Sequence, residues 1–312
     1  MEMHAASEPA ISVRNLSKRY GTVYALADAS ITVPRGKVYG FLGPNGAGKT
    51  TTIRLLMGFI KPTSGSAQLF GHDCWNDGLN ARRDLGFLVT ADALYSEMSG
   101  VAQLDYAAKL SRRPAVLRDQ LLDALELSRD ALQRKLGSYS KGMRQKLALI
   151  AAMQHDPALL ILDEPTDGLD PLIQRNFEQL LLGLRDQGRT IFMSSHDLAE
   201  VERICDTVAV IRAGQIVAEE SIVDLLRRHS RHVSILFSTA IPENLEGVTG
   251  LTLNAMEGRR AELSLSGNPN ELLHFLSLHD VEEITITPPN LEDIFMSYYG
   301  ASSPETPGVM TK

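Results

Sequence analysis

The segment Gly43-Pro-Asn-Gly-Ala-Gly-Lys-Thr50 constrains this 312-residue chain more than any other. It follows an apolar run, Val38 to Leu42, and precedes a stretch of helical spacing, Thr51 to Phe59, so it reads as the turn between a buried strand and a helix. Its glycines let the backbone curl until successive N–H groups and the helix N-terminus face one anion. Lys49 adds a charge between outer phosphates, and the Thr50 hydroxyl is a ligand for a divalent ion. The pattern G-x-x-x-x-G-K-[ST] in this context predicts a nucleotide site built from Gly43, Pro44, Asn45, Gly46, Ala47, Gly48, Lys49, Thr50 and Thr51. A glycine-rich turn that merely carries a lysine is the bland alternative, and the flanking strand and helix argue against it.

A second apolar run, Leu159 to Leu162, ends in Asp163-Glu164-Pro165. A buried strand delivers Asp163 rigidly to a metal, and Glu164 then stands where an attacking water would sit, as in-line phosphoryl transfer requires. Without the phosphate-binding loop, Asp-Glu-Pro would simply end a strand and cap a helix. From Ile11 to about Leu226, short apolar runs (also Thr190 to Met193 and Val208 to Ile211) alternate with helical spacing at Lys141 to Met153, Ile173 to Leu184 and Leu198 to Ile204. That alternation predicts an α/β domain on a largely parallel sheet. Ile11 to Val13 and Ile31 to Val33 suggest an antiparallel β subdomain ahead of it. Beyond Arg227 the texture weakens to strands at Val233 to Ser238, Glu262 to Ser266 and Glu283 to Thr287, with short helices at Asn270 to Leu278 and Asn290 to Tyr299. The expected division is 8–226, a small α+β appendage at 227–300, and a flexible tail at 301–312.

Composition narrows the function. Hydrophobic residues make up 44% and charged residues 22%, as in ordinary globular proteins, and there are only two cysteines, Cys74 and Cys205, too few for a disulfide framework. No apolar leader follows Met1 and no run of 18 apolar residues occurs, so a reduced, cytosolic chain that does not itself span a membrane is expected. The formal charge is −7, and five of those excess negative charges lie from Arg227 onward. A nucleic-acid partner is not expected from that balance.

The residues resemble the ATP-binding subunit of an ATP-binding-cassette (ABC) transporter over roughly 11–226. The specific part is Tyr139-Ser-Lys-Gly-Met-Arg-Gln145, with Ser140 lying 23 residues before Asp163. It is similar to the family's signature motif, usually Ser-Gly-Gly-Gln, with Lys141 and Met143 as departures and Ser140 and Gly142 retained. Ser140 is also simply a good N-cap. The resemblance implies a P-loop ATPase cassette with an N-terminal antiparallel β subdomain and a helical subdomain, binding ATP and Mg²⁺. It implies that two cassettes, here a homodimer, pair head to tail, so that Ser140, Lys141, Gly142 and Met143 complete the partner's site in trans. Asp167-Gly-Leu-Asp170 resembles the loop at the dimer seam, contributing Asp167 and Asp170. His196, in Ser194-Ser-His-Asp197, resembles the switch histidine, which implies a contact with the γ-phosphate and a part in orienting the water. Tyr20 matches the aromatic that stacks on adenine.

Metal contacts are implied for Thr50 and Asp163. Thr90 stands where the family places a glutamine, and its shorter hydroxyl reaches a metal only through water; slowed or differently regulated hydrolysis is the expectation. The following loop, Ala91 to Ser99, resembles the region that receives the coupling helix of a separate transmembrane permease. Asn290-Leu-Glu-Asp-Ile-Phe295 resembles the C-terminal helix of drug-exporter-type subunits. Together these imply an ATPase at the cytoplasmic face of the cell membrane that energises export through a separate permease. The competing readings are a non-transport cassette acting on nucleic acid or ribosomes, and a regulatory cassette that binds without hydrolysing.

Overall fold

The computed structural model describes residues 8–90, 93–228, 230–242, 244–288, 291 and 294, with the backbone alone at 227, 228 and 246. Two compact units divide between Glu220 and Ser221.

The first unit begins with an antiparallel hairpin. β1 (Ile11–Tyr20) pairs with β2 (Val23–Val33) from Ile11 opposite Val33 to Tyr20 opposite Val23. β4 (Ser64–Leu69) and β5 (His72–Asp73) extend this sheet in the order β2-β1-β4-β5. The predicted strand at Ile11 to Val13 is thus only the start of a longer one, whose remainder is partly exposed and carries a weaker apolar signal.

A second sheet has the order β10-β9-β3-β8-β7-β6. Its strands are β3 (Val38–Leu42), β6 (Leu85–Phe87), β7 (Leu159–Asp163), β8 (Thr190–Ser195), β9 (Thr207–Arg212) and β10 (Gln215–Ser221). The neighbours from β9 to β6 run parallel. Every residue of β3 and β8 is buried, which is why these strands read as unbroken apolar runs instead of alternating ones.

Around the sheets lie α1 (Lys49–Leu56), α2 (Gly78–Ala81), α3 (Gly100–Ser111), α4 (Arg118–Ala124), α5 (Arg129–Leu132), α6 (Lys141–Met153), α7 (Pro171–Asp186) and α8 (Leu198–Ile204). One apolar core joins the two sheets. It runs from Ile11, Leu26 and Leu69 through Ile53 and Leu56 of α1 to Phe41, Phe192 and Ile211. Phe192 stacks on Tyr39 at 5.8 Å and tilts against Phe41 at 5.4 Å between ring centroids. Each such buried side chain contributes roughly 1.5–3 kcal/mol, so α1, and the loop before it, is firmly anchored. α1 starts earlier and stops earlier than the predicted Thr51 to Phe59. Gly48 is its N-cap, and Gly58, at φ 63, takes the left-handed conformation that ends helices.

The second unit contains α9 (Ile222–Arg228), β11 (Arg231–Phe237), β12 (Leu251–Glu257), β13 (Arg260–Leu265), α10 (Asn270–Leu276) and β14 (Val281–Thr287). Its antiparallel sheet has the order β12-β13-β11-β14, and its own core is Val233, Ile235, Phe237, Leu263, Leu265 and Leu272. β12 was not expected from the sequence; six of its seven residues are partly or fully exposed, so no alternation marks it. Apart from the buried Leu291 and Ile294, the expected helix at Asn290 to Tyr299 and the tail at 301–312 lie outside the described residues.

Candidate active site

The loop between β3 and α1 is held in a conformation that side chains forbid. Gly48 has φ 117, and a Cβ there would lie 2.6 Å from the carbonyl oxygen of Ala25. A Cβ on Gly43 would lie 2.5 Å from the carbonyl oxygen of Ile211. The glycines therefore answer to both curvature and close packing. Lys49, only 5% exposed, donates from Nζ to the Gly43 carbonyl at 2.6 Å. A cavity of about 200 Å³ opens over the loop, lined by Pro44, Asn45, Gly46 and Gly48 to Thr51 together with Ala25 and Glu164. Backbone amides, a helix N-terminus and an ammonium group converge there, a fit for phosphate.

The parallel pairing of β7 with β8 sets the acidic half of the site, with Asp163 opposite Ser194. Ser194 Oγ donates to Asp163 Oδ1 and accepts from the Glu164 N–H at 3.1 Å. The other Asp163 oxygen accepts from the Thr50 hydroxyl at 3.1 Å. Thr50 and Asp163 thus present adjacent oxygen donors, the donor type that suits Mg²⁺, an ion that takes few protein ligands and completes its shell with phosphate and water. Among the described residues, no group of three His, Cys, Asp or Glu side chains is placed to hold a metal unaided.

Glu164 follows with φ 47, an uncommon conformation for a residue with a side chain. Its amide is bound to Ser194, and this turn aims the carboxylate back over the loop. Oε1 lies 3.4 Å from Lys49 Nζ and Oε2 lies 3.2 Å from His196 Nδ1. Two sequence-predicted groups, more than 30 residues apart, therefore meet at one carboxylate. Ser194 was not singled out from the sequence, because its part depends on strand register.

The remaining predicted residues fall in three places. Ser140 caps α6, accepting from the Met143 N–H at 3.2 Å, and Lys141 pairs with Asp167 at 2.8 Å. A Cβ on Gly142 would approach the Gly168 carbonyl oxygen to 2.9 Å, so only glycine lets these two turns touch. None of residues 140–143 lines the cavity over the phosphate-binding loop. Gln145 donates from Nε2 to the Pro165 carbonyl at 2.8 Å, a second tie between α6 and the acidic turn that sequence reasoning did not assign. Asp170 caps α7, accepting from the Ile173 N–H at 3.1 Å, with Pro171 in the first turn. Tyr20, at the end of β1, is half exposed with the Lys18 ammonium 5.0 Å over its ring, and is not among the residues lining that cavity.

Thr90 is exposed beyond β6 and lines a larger cavity, about 740 Å³, with Thr50, Asp163 and Glu164 on one side and Phe59, Phe87 and Val89 on the other. Ala91 and Asp92, the start of the loop expected to meet a permease, lie outside the described residues. Further along that loop Tyr95, 55% exposed, meets Tyr106 edge to face at 5.9 Å. No helix among the described residues is long and apolar enough to cross a membrane.

Comparison with known proteins agrees with this geometry. The family model described as ABC transporter matches residues 26–167. The bacitracin transport ATP-binding protein BcrA of Bacillus licheniformis is 32% identical over 304 residues, spanning 94% of this chain and 98% of the relative. A fluoroquinolones export ATP-binding protein of Mycobacterium tuberculosis is 37% identical, spanning 71% of this chain and 74% of the relative. Among solved structures, an ATP-binding subunit of an ABC transporter superposes with a TM-score of 0.65 at 30% identity, covering 70% of this chain and 92% of that one. Given the glycine-rich loop, the acidic strand end and the likeness to these relatives, the chain belongs to the ABC transporter family, as one of its ATP-binding, ATP-hydrolysing subunits.

Proposed function

We propose that this chain hydrolyses ATP between two copies of itself and thereby drives export through a separate membrane permease. The triphosphate occupies the loop Gly43 to Thr51, where the backbone amides and Lys49 offset its charge. Thr50 and Asp163 hold Mg²⁺, which when bound neutralises charge on the phosphates. Glu164 accepts a proton from the attacking water as the new oxygen–phosphorus bond forms and the bond to ADP breaks; His196 orients this carboxylate. The observation that carries the reading is the placement of Glu164, with one oxygen toward Lys49 and the other toward His196.

Ser140 and Gly142 complete the partner's site, a reading supported by their absence from the lining of the chain's own phosphate cavity and by the anion-binding character of a capped helix start. Asp167 and Asp170 lie at the seam. Phe59, Val89 and Tyr95 expose apolar surface beside the site, which suits a permease docking on the cytoplasmic side of the membrane. Export is the direction supported by relatives that carry bacitracin and fluoroquinolones in their names.

The test is Glu164→Gln with Mg²⁺ and ATP. Loss of the general base lowers turnover by about 10²–10⁴-fold, and the ATP-loaded variant gathers into dimers measurable by light scattering. A variant that turns over normally, or that stays monomeric with its permease and saturating ATP, would sink the proposal.

A further inference from the structure

Beneath the turn that carries His196 lies a carboxyl group the hydrolysis scheme does not use. Glu200, in the first turn of α8, is 2% exposed. Its Oε2 accepts from the Ser195 hydroxyl at 2.6 Å, and the same hydroxyl oxygen accepts from the Asp197 N–H at 2.9 Å. Ser195 is therefore held directly by the buried acid, and Asp197 through Ser195. The other carboxyl oxygen, Oε1, is buried without a hydrogen bond.

The cation closest to hand is committed elsewhere: Arg203, one turn along α8, grips Glu178 at 2.6 Å. Asp197 and Glu178 add only negative charge around Glu200. Burying an acid without a cation costs stability, and an apolar side chain of similar volume would pack at no such cost. What a leucine would not supply is an acceptor for Ser195.

We infer that Glu200 is a positioning residue for hydrolysis: by holding Ser195, and through it Asp197, it fixes the turn that carries His196, keeps the imidazole on the Glu164 carboxylate and supports turnover without touching nucleotide. The inference rests on the proposed role of His196.

The experiment uses the full-length chain with Mg²⁺-ATP and compares Glu200→Leu, Glu200→Gln and Ser195→Ala, each with and without His196→Ala. Glu200→Leu is expected to melt at about the wild-type temperature yet turn over about tenfold more slowly, with KM for ATP within about twofold, since only a group acting in the transition state is disturbed. Glu200→Gln, which keeps an acceptor for the Ser195 hydroxyl, recovers most of that rate. In the His196→Ala background, Glu200→Leu slows turnover by less than about twofold, because the group it positions is gone. Wild-type turnover in Glu200→Leu, a KM that rises in step with the loss, or an equal further loss in His196→Ala would each overturn the inference. If Glu200→Leu fails to fold, Ser195→Ala carries the same comparison, with the same outcomes for and against. His196→Ala at the wild-type rate would instead remove the proposed role of His196.

Discussion

Lys49 shows how much one position depends on its surroundings: its ammonium sits almost fully buried against the Gly43 carbonyl and the Glu164 carboxylate. A charge-assisted hydrogen bond to phosphate is worth about 1.5–3 kcal/mol, so Lys49→Ala should weaken ATP binding roughly 10- to 100-fold, read by equilibrium titration. Unchanged affinity would contradict the loop's assignment. Thr90 tests the departure from the family pattern. A glutamine there gains about one hydrogen bond, near 1 kcal/mol, so Thr90→Gln should raise turnover about fivefold, and equal rates with and without the permease would remove the basis for that reading. The thiols are expected to be inert. Burial and the neighbouring Asp73 push Cys74 up to about 12, and burial pushes Cys205 up as well. Neither should react with a thiol reagent at pH 8 in native protein, and both should react once it is unfolded. That Lys49 and Thr50 open α1 and that Asp163 and Glu164 stand at the end of β7 was legible from motif spacing, because local chain pattern fixes the loop and strand end they occupy. The parts of Ser194 and Gln145 were not, since each acts on a residue at least 20 positions away, and that of Glu200 was not, since its hold on Ser195 depends on how β8 turns into α8.

Elements carry these residues at fixed angles. The strand-to-helix turn depends on Gly48, where an added Cβ meets a backbone carbonyl that is not free to move. Gly48→Ala should therefore cost roughly 1–3 kcal/mol in a urea titration, besides deforming the phosphate cavity. At the opposite end of the sheet, the turn after α6 is tied to the start of β8 by Arg189, whose Nε donates to Asp156 Oδ1 at 2.8 Å. These hydrogen bonds hold the Asp156 carboxyl below its ordinary 3.8. A lowered folded-state value means the contribution is present above pH 3.8 and is lost as pH falls through the folded-state value. Asp156→Asn should accordingly lower the melting temperature at neutral pH, and its deficit should shrink as pH falls below about 4. The central strands and α6, α7 and α8 were legible because burial on both faces or on one helical stripe leaves a periodic mark. β12 was missed because an exposed edge strand leaves none, and α1 was displaced because its ends are set by glycine backbone conformation.

At the scale of the molecule, two units with separate apolar cores make separate contributions. Leu263 is fully buried in the second core. Leu263→Ala should destabilise that unit by about 2–5 kcal/mol in calorimetry while ATP affinity, which depends on the first unit, stays as in wild type. A parallel loss of affinity would mean that the second unit supports the nucleotide site.

The sequence by itself determined the glycine-rich turn into α1, the two carboxylates at the end of β7 and the serine-capped start of α6, because local backbone geometry and short-range spacing dictate all three. Only the tertiary structure decided that Lys49 and His196 meet on opposite oxygens of Glu164, that Ser194 orients Asp163, and that Glu200 underlies the His196 turn. The first two relations follow from parallel strands whose residues lie far apart in the chain, where hydrogen bonding between strands, not spacing along them, sets the register; the third follows from how β8 turns into α8.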